Sequence, residues 1–587
     1  MKRFRTRQQY RWRILVAGLL LLCLALLVPG CFSGDEAGPY YGRVKVPRRQ
    51  EFRWSDGGLP QVFDPAFAAA PPDTDAVRAL FEGLTDYDPR TLQPTPGVAE
   101  RWESSEEGRV WTFYLRPDAR WSTGELVTAG DFVRSWERIL HLGDLAPHTE
   151  LLSNIVGARP YAGALRPVGQ AAAVSPPSSR ETETNKEGAI RESDERSFGA
   201  QEISTHVLRV QLQRPNLNFP ALVAHPVFRP VKIKQHDETN RINSAQLISN
   251  GAFLLSRSSG DQVLLQRAEN YWGKANVSLE RVEFVKTGDA ESALNGYLTG
   301  DIDAVTNAPF EPLALKLLAP YADFRRNTFA ALTYYSFNTS REPFNDVRVR
   351  EALAIAIDRE RISEEQLGGA TEPATTFLPA IKTVAVNEAV VAKSATLSKD
   401  HERAKQLLAE AGYPDGKGFP VIHLLINRNE QQRQVAEAVA SMWRNVLKIE
   451  TEIDSRTWDE YETAIRAGNF DLVRRGAVMQ TADEMSNIRM LFTSDEKSAA
   501  PQTVVSEPSP NQGVKGTPAN SQALGKTSVT PIDTESEALR QLTAIPIYFA
   551  SSCALVKPYV SGFDSNMLDA PSLKNVKIDT TWQGPGR

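Results

Sequence analysis

Cysteine is nearly absent: three residues in 587, at positions 23, 31 and 553, cannot build a disulfide framework. The seven histidines, at 141, 148, 206, 225, 236, 401 and 423, show no H-x-x-x-H spacing. With no cysteine pairs either, a transition-metal site has no support. The chain lacks G-x-S-x-G, a Gly-rich nucleotide fingerprint, and S-x-x-K with its companion motifs. Asp301 and Asp303 in TGDIDAV are too few carboxylates for calcium and read as a solvated turn entering a strand. Gly412 to Lys417 has the wrong spacing for a phosphate loop and reads as a helix stop and turn. No catalytic residue, cofactor or metal follows from these patterns. An excess of positive charge is missing too: 67 Lys and Arg against 72 Asp and Glu give −5, which argues against nucleic acid as a partner. Beyond Val28 no run is apolar enough to span a membrane.

What is present begins at the N-terminus. Lys2, Arg3, Arg5, Arg7, Arg11 and Arg13 precede an unbroken apolar run of fifteen residues, Ile14 to Val28, which fits a signal h-region better than a spanning helix. Val28-Pro29-Gly30-Cys31 looks like a lipoprotein cleavage box, with Cys31 as the lipid attachment site and an uncleaved anchor as the alternative. The expected arrangement is a signal peptide over 1–30, a lipid-anchored flexible tether over 31–48, and a body outside the cytoplasm, in the periplasm or at the cell surface. Losing six cationic residues with the signal leaves 61 against 72 acids, a net of −11.

Alternating strand patterns (Phe52–Trp54, Trp111–Arg116, Val207–Leu212, Arg281–Val285) mix with helical periodicity at 400–411, 430–446 and 458–467. A helix is expected from Asp75 to Gly83, and Asp131 is expected to cap another running to Ile139. Such alternation predicts mixed α/β domains. Two stretches, 167–197 and 496–536, are rich in Ser, Pro and Glu with few large apolar residues, and are expected as disordered insertions. The densest pattern is Thr333 to Ile362. There an aromatic strand breaks at Asn338, Asp346 is placed to cap a helix, and Val349, Leu353, Ala356 and Ile357 form one buried face. Most tryptophans should be core, with a minority suited to lining a cleft.

That block, together with LFEGL (80–84), Pro96 to Trp102, 108–140, NYWG (270–273), AKQLLAEAGYP (404–414), FDLVRRG (470–476) and 545–563, resembles the extracellular solute-binding proteins of family 5. These are the oligopeptide- and dipeptide-binding proteins of ABC transporters. The resemblance implies an α/β, two-lobed periplasmic-binding-protein-like fold (type II) with an extra domain on the first lobe. Lobe one would comprise 49–87, 198–325 and 545–587, the extra domain 88–197, and lobe two 326–544. It implies a monomer that captures a peptide or other small solute between its lobes, without chemistry, and delivers it to an ABC permease and ATPase complex. A sensor uncoupled from transport, or a hydrolase or chaperone on the same scaffold, are the alternatives.

The resemblance also carries site residues. Arg474 matches a residue that pairs with a peptide carboxylate, although a surface ion pair is the plainer reading. Trp458 matches an aromatic near bound side chains, against simple helix-face packing. Asp73 matches a carboxylate near the ligand, against a helix cap. Asn307 matches a polar ligand-approaching position in lobe one, and Gly476 closes the FDLVRRG match. The chain departs from the family after Gly476. Ala477 stands where the family has Trp, and Gln480 where it has an Asp that binds the peptide ammonium. A neutral amide cannot give a charge-assisted bond, and Asp483 or Glu484 is the candidate replacement.

Overall fold

The computed structural model describes residues 39–158, 198–232, 244, 247–380, 396–492 and 532–584. The expected signal peptide, Cys31, and the stretches 167–197 and 496–531 lie outside the described residues. Residues 532–536, expected within the second insertion, are folded: Ile532 is buried, and Thr534 caps a helix by accepting from Glu537 N.

The chain enters lobe one along a strap rather than a free tether. Ala322 N donates to Pro39 O at 2.8 Å, Tyr41 N to Asp323 Oδ1 at 2.9 Å, and Arg43 N to Leu298 O at 2.8 Å. Lys557 Nζ donates to Tyr41 O at 3.1 Å, and the Tyr41 ring meets Tyr297 and Tyr321. Residues 39–48, expected to be flexible, are therefore fixed to the folded body.

The strap leads into β1 (Glu51–Asp56), whose inward residues Phe52 and Trp54 are buried. Helix α1 follows (Asp73–Leu80). A small domain comes next, a four-stranded antiparallel sheet of Ala99–Ser105, Val110–Leu115, Val207–Gln211 and Ala200–Ser204. Against it lies α2 (Ala129–Leu142). Thr128, not Asp131, is its cap: Asp131 N donates to Thr128 Oγ1 at 3.3 Å and Thr128 N donates back to Asp131 Oδ2 at 3.0 Å. The reciprocal pair is a capping box, which places the acid three residues inside the helix. Asp64, ahead of α1, is fully buried against Arg138 of α2, with Nη1 and Nη2 donating to its two oxygens at 3.0 and 2.6 Å.

Lobe one resumes with strands Phe253–Ser258 and Gln262–Arg267, then β2 (Arg281–Val285), α3 (Ala290–Thr299), β3 (Ala304–Thr306) and α4 (Pro312–Leu318). Strand β1 pairs in parallel with β2 and β3. Asp303 is no solvated turn. It is buried, accepting from Arg53 Nη2 at 2.7 Å and from the Tyr559 hydroxyl at 2.6 Å.

The crossing to lobe two is β4 (Phe324–Phe337), a strand of 14 residues, and it ends where the pattern at Asn338 predicts. Lobe two adds α5 (Val347–Ile355), β5 (Ile422–Asn427), α6 (Glu430–Leu447), β6 (Thr451–Arg456), α7 (Trp458–Ala467), β7 (Leu472–Val478), α8 (Glu484–Phe492) and α9 (Glu535–Gln541). The return crossing is β8 (Ala544–Val556). Strands β4 and β8 pair antiparallel from Phe324↔Leu555 to Ser336↔Ala544, so one sheet runs through both lobes. At one end β8 pairs with β3 of lobe one; at the other β4 pairs with β7 of lobe two. The register breaks between Thr328 and Leu332 and again between Thr333 and Tyr334, where the strands pass from one lobe to the other. Such irregularities bend a sheet locally.

The Thr333–Ile362 block now has a physical reason. Asp346 caps α5 by accepting from Arg348 N, and Val349, Leu353, Ala356 and Ile357 are all buried. Two buried arginines of the same block bind carbonyls on or beside the return strand. Arg350 donates to Gln541 O and Leu542 O at 2.6 and 2.9 Å, and Arg359 to Pro546 O at 2.8 Å. Burial holds the Arg359 guanidinium down at about 10. The block thus roots the second lobe to both crossings. One apolar core joins lobe one to the small domain, and a second fills lobe two.

Candidate functional site

The lobe-two wall is built on β7, which pairs with β4 so that Arg474 lies opposite Tyr335 and Gly476 opposite Thr333. The Arg474 guanidinium folds back over Gly476: a Cβ there would sit 3.2 Å from Nη2. Arg474 Nη2 donates to Thr333 Oγ1 only at 3.4 Å, and its buried Nε finds no hydrogen-bond partner among the described residues. The Tyr461 hydroxyl donates to the Arg474 carbonyl, and burial pushes that phenol up to about 12, so it stays a neutral donor. Trp458, 45 % exposed, stacks on Tyr461 at 5.4 Å. The capping box of Thr457 and Glu460 starts α7 and fixes both aromatics on its first turn. Trp458, Arg474 and Gly476 are therefore neighbours, linked through Tyr461.

The lobe-one wall lies at the carboxyl ends of parallel β1 and β3, the crevice where open α/β sheets usually take ligands. Asn307 is exposed in a left-handed conformation (φ 51°) and donates from Nδ2 to Asp56 Oδ1 at 2.6 Å. Gly57 (φ 66°) passes so close that a Cβ would lie 2.8 Å from Asn307 O. Asp73 is only part-exposed and does not cap α1, whose cap position is Pro72. Its Oδ1 accepts from Gln61 N and Val62 N at 2.7 and 3.1 Å, which fixes the loop leaving β1.

Beneath this wall is a group that no motif announced. Asp56 ends β1 and Asp75 sits in α1, both fully buried, with Thr306 Oγ1 donating to Asp56 Oδ1 at 2.7 Å and Arg78 Nη1 to Asp75 Oδ1 at 2.8 Å. The outer oxygen of each, Oδ2, meets no N–H or O–H donor among the described residues, so a contact between the two carboxyls needs a proton. Burial pushes both acids up, and Asp56 raises Asp75 further. Asp569, on the loop beside the crossing strands, is pushed up to about 7, first by burial and then by Asp56. A carboxyl whose pKa rises on folding contributes stability below its ordinary value of 3.8, and that contribution is lost as pH climbs through about 7. We predict that Asp569→Asn flattens the fall in thermal stability between pH 4 and 7 relative to wild type. Unchanged curvature in melts across that range would contradict this. Asparagine tolerates the left-handed backbone at this position (φ 47°).

The loop after β7 holds the remaining candidates. Gln480 is half-buried, its Nε2 donating to Val478 O at 3.3 Å. Asp483 is buried and occupied: it accepts from Ser486 N and Oγ at 2.9 and 2.6 Å at the start of α8, and from Asn216 Nδ2 at 3.1 Å. It joins lobe two to the 214–218 loop, with its carboxylate engaged by these donors. Glu484 is exposed, but its Oε1 accepts from Glu535 N at 2.8 Å.

A further cavity, lined by Asp75, Arg78, Glu82, Asp86, Arg229 and Lys574 among others, encloses about 20 Å3, room for one water and no ligand. Burial raises Asp86, but Lys574 and Arg229 outweigh it and hold the carboxyl at about 2. This is an internal charge network rather than a binding site.

Residues 93–499 match the family described as bacterial extracellular solute-binding proteins, family 5. The chain is 30 % identical to the periplasmic murein peptide-binding protein MppA of Escherichia coli, covering 93 % of this chain and 96 % of that protein. It is 29 % identical to the periplasmic oligopeptide-binding protein OppA of Salmonella typhimurium, over 96 % and 98 %. The solved unliganded open form of the murein tripeptide-binding protein MppA superposes with a TM-score of 0.68 at 27 % identity, covering 91 % of this chain and 98 % of that one. The two lobes, the through-running sheet and these matches agree, and the chain belongs to the bacterial extracellular solute-binding proteins of family 5.

Proposed function

We propose that this protein captures peptides, or a related small solute, between its lobes and delivers them to an ABC permease and ATPase complex, with Cys31 as its lipid anchor. The observation that carries the reading is Arg474. Its guanidinium, laid over a glycine with a buried Nε left unpaired and a long bond to Thr333, is poised for a carboxylate. Guanidinium and carboxylate pair through two parallel bonds, which orients a peptide end as well as holding it. A side chain at Gly476 would crowd the guanidinium, whose Nη2 lies 3.2 Å from a Cβ built there.

Trp458 then offers an exposed ring to a bound side chain, and Asn307 an amide from the opposite wall. Asp73 acts through the 59–63 loop that it holds. Gln480 gives the ligand a neutral amide, and Asp483 sets that loop's position against lobe one without touching the ligand. No bond is broken in this scheme; the protein works as a binding protein, and the likeness to named peptide-binding relatives supports that.

Trp458→Ala should leave the melting temperature nearly unchanged, because the ring is half exposed, while peptide affinity falls about three- to tenfold. Equal affinity by titration calorimetry would remove Trp458 from the site. Native mass spectrometry of the gently purified full chain tests the reading as a whole. A released ligand that fragments as a peptide supports it, and a non-peptide solute refutes the peptide assignment.

A further inference from the structure

The strap over 39–49 lies on a surface with a composition of its own. Tyr41 is wedged between α3 and the turn after α4, in the small apolar cluster that also holds Tyr297 and Leu318. Helices α3 and α4 carry three exposed leucines, Leu298, Leu313 and Leu317, which are 40, 68 and 65 % exposed. These are three of the nine large apolar side chains exposed among the described residues. Leu313 and Leu317 are four apart on α4 and share one face, with exposed Lys316 between them. The strap itself is basic: Arg43, Lys45, Arg48 and Arg49 are all exposed. The acids on the same elements are Asp289 and Glu291 at the head of α3, Asp301, 3.7 Å from Lys45 in an exposed pair, and Glu311 at the head of α4, so the excess of positive charge lies on the strap.

We propose that this face of lobe one, the strap with α3 and α4, rests on an anionic lipid bilayer. The inference rests on the lipid-anchor reading given above. Cys31 is eight residues from Pro39, where the described strap begins, so an anchor there lies within ~28 Å of this face at ~3.5 Å per residue. Leucines entering the headgroup region beside a basic strap have the composition of an interfacial surface. Basic residues close to an anionic surface are attracted to it. The consequence is mechanical. Lobe one is held against the membrane, and lobe two, rooted on β4 and β8, is the lobe that moves when the cleft opens or closes.

Amide exchange of the full chain, reconstituted in vesicles of phosphatidylglycerol and separately of phosphatidylcholine, tests this. Exchange at 313–318 and at 41–49 should be slower in phosphatidylglycerol, while α7 on lobe two exchanges equally in both. Leu313→Glu with Leu317→Glu should abolish the difference without stopping flotation, and Arg48→Gln should weaken it about fivefold, the equivalent of ~1 kcal/mol. Flotation with both vesicles but equal exchange at α4 overturns the inference and leaves the anchor standing. Flotation with neither overturns the anchor reading as well. Protection that appears only when the permease is added assigns the face to the permease and also overturns the inference.

Discussion

Replacing Arg138 with methionine should cost about 3–5 kcal/mol of stability. Both partners of the Asp64–Arg138 pair are buried, and both guanidinium ends are bonded to the carboxylate, at 3.0 and 2.6 Å. Removing the cation takes two donors from a fully buried carboxyl, with Phe63, Ala66 and Ala68 buried beside it in sequence. The carboxylate also receives Ala66 N at 3.1 Å, so the 63–68 turn loses its organising charge with the arginine. This turn ties lobe one to the small domain through α2. The expected result is a large loss of chemical-denaturation midpoint with the slope nearly conserved. A midpoint within experimental scatter of wild type would show that the pair is dispensable. Replacing both partners by apolar residues of similar volume should recover much of the loss, because no charge is then stranded.

The second large effect falls on binding. Arg474→Ala should weaken peptide affinity about 10- to 100-fold, the ~1.5–3 kcal/mol of a hydrogen bond to a charged group. Stability should change little, since among the described residues Arg474 makes one side-chain bond, at 3.4 Å, and its Nε meets no partner. Lysine should not rescue it, because an ammonium cannot reproduce the two parallel bonds of a guanidinium. Esterifying or amidating the peptide's carboxyl end should remove the difference between wild type and variant. An Arg474→Ala protein that still favours free-acid peptides over amides as strongly as wild type would refute the assignment.

Local periodicity was readable wherever one segment determined its own structure. The strand Arg281–Val285 and the helix Trp458–Ala467 lie at the expected bounds, and the strand end at Asn338 with the cap at Asp346 follow the pattern. Capping offsets were less secure. Thr128 and Asp131 are both cap-forming types three residues apart, and only the reciprocal bonds show which one ends the extended backbone. The strap escaped sequence reading because its hold comes from residues far along the chain, Asp323 and Lys557, not from its own pattern.

For the candidate site, the sequence points to positions on one strand. FDLVRRG pointed to Arg474 and Gly476, and their contact follows from strand geometry. The Asp56, Asp75 and Asp569 group was missed because it joins a strand end, a helix and a C-terminal loop. An acid ending a strand just before Gly57–Gly58 was the only local sign. Asp483 shows the reverse: an acid close to Gln480 in sequence is engaged in the fold by Ser486 and Asn216, partners that its local pattern does not reveal.

Isothermal titration of the purified full chain with free-acid peptides of two to five residues addresses the central claim most directly. Saturable heat with one ligand per chain is expected, reduced by carboxyl amidation and by Arg474→Ala. Absence of binding for every peptide, beside saturable binding of a solute without a carboxylate, would contradict it.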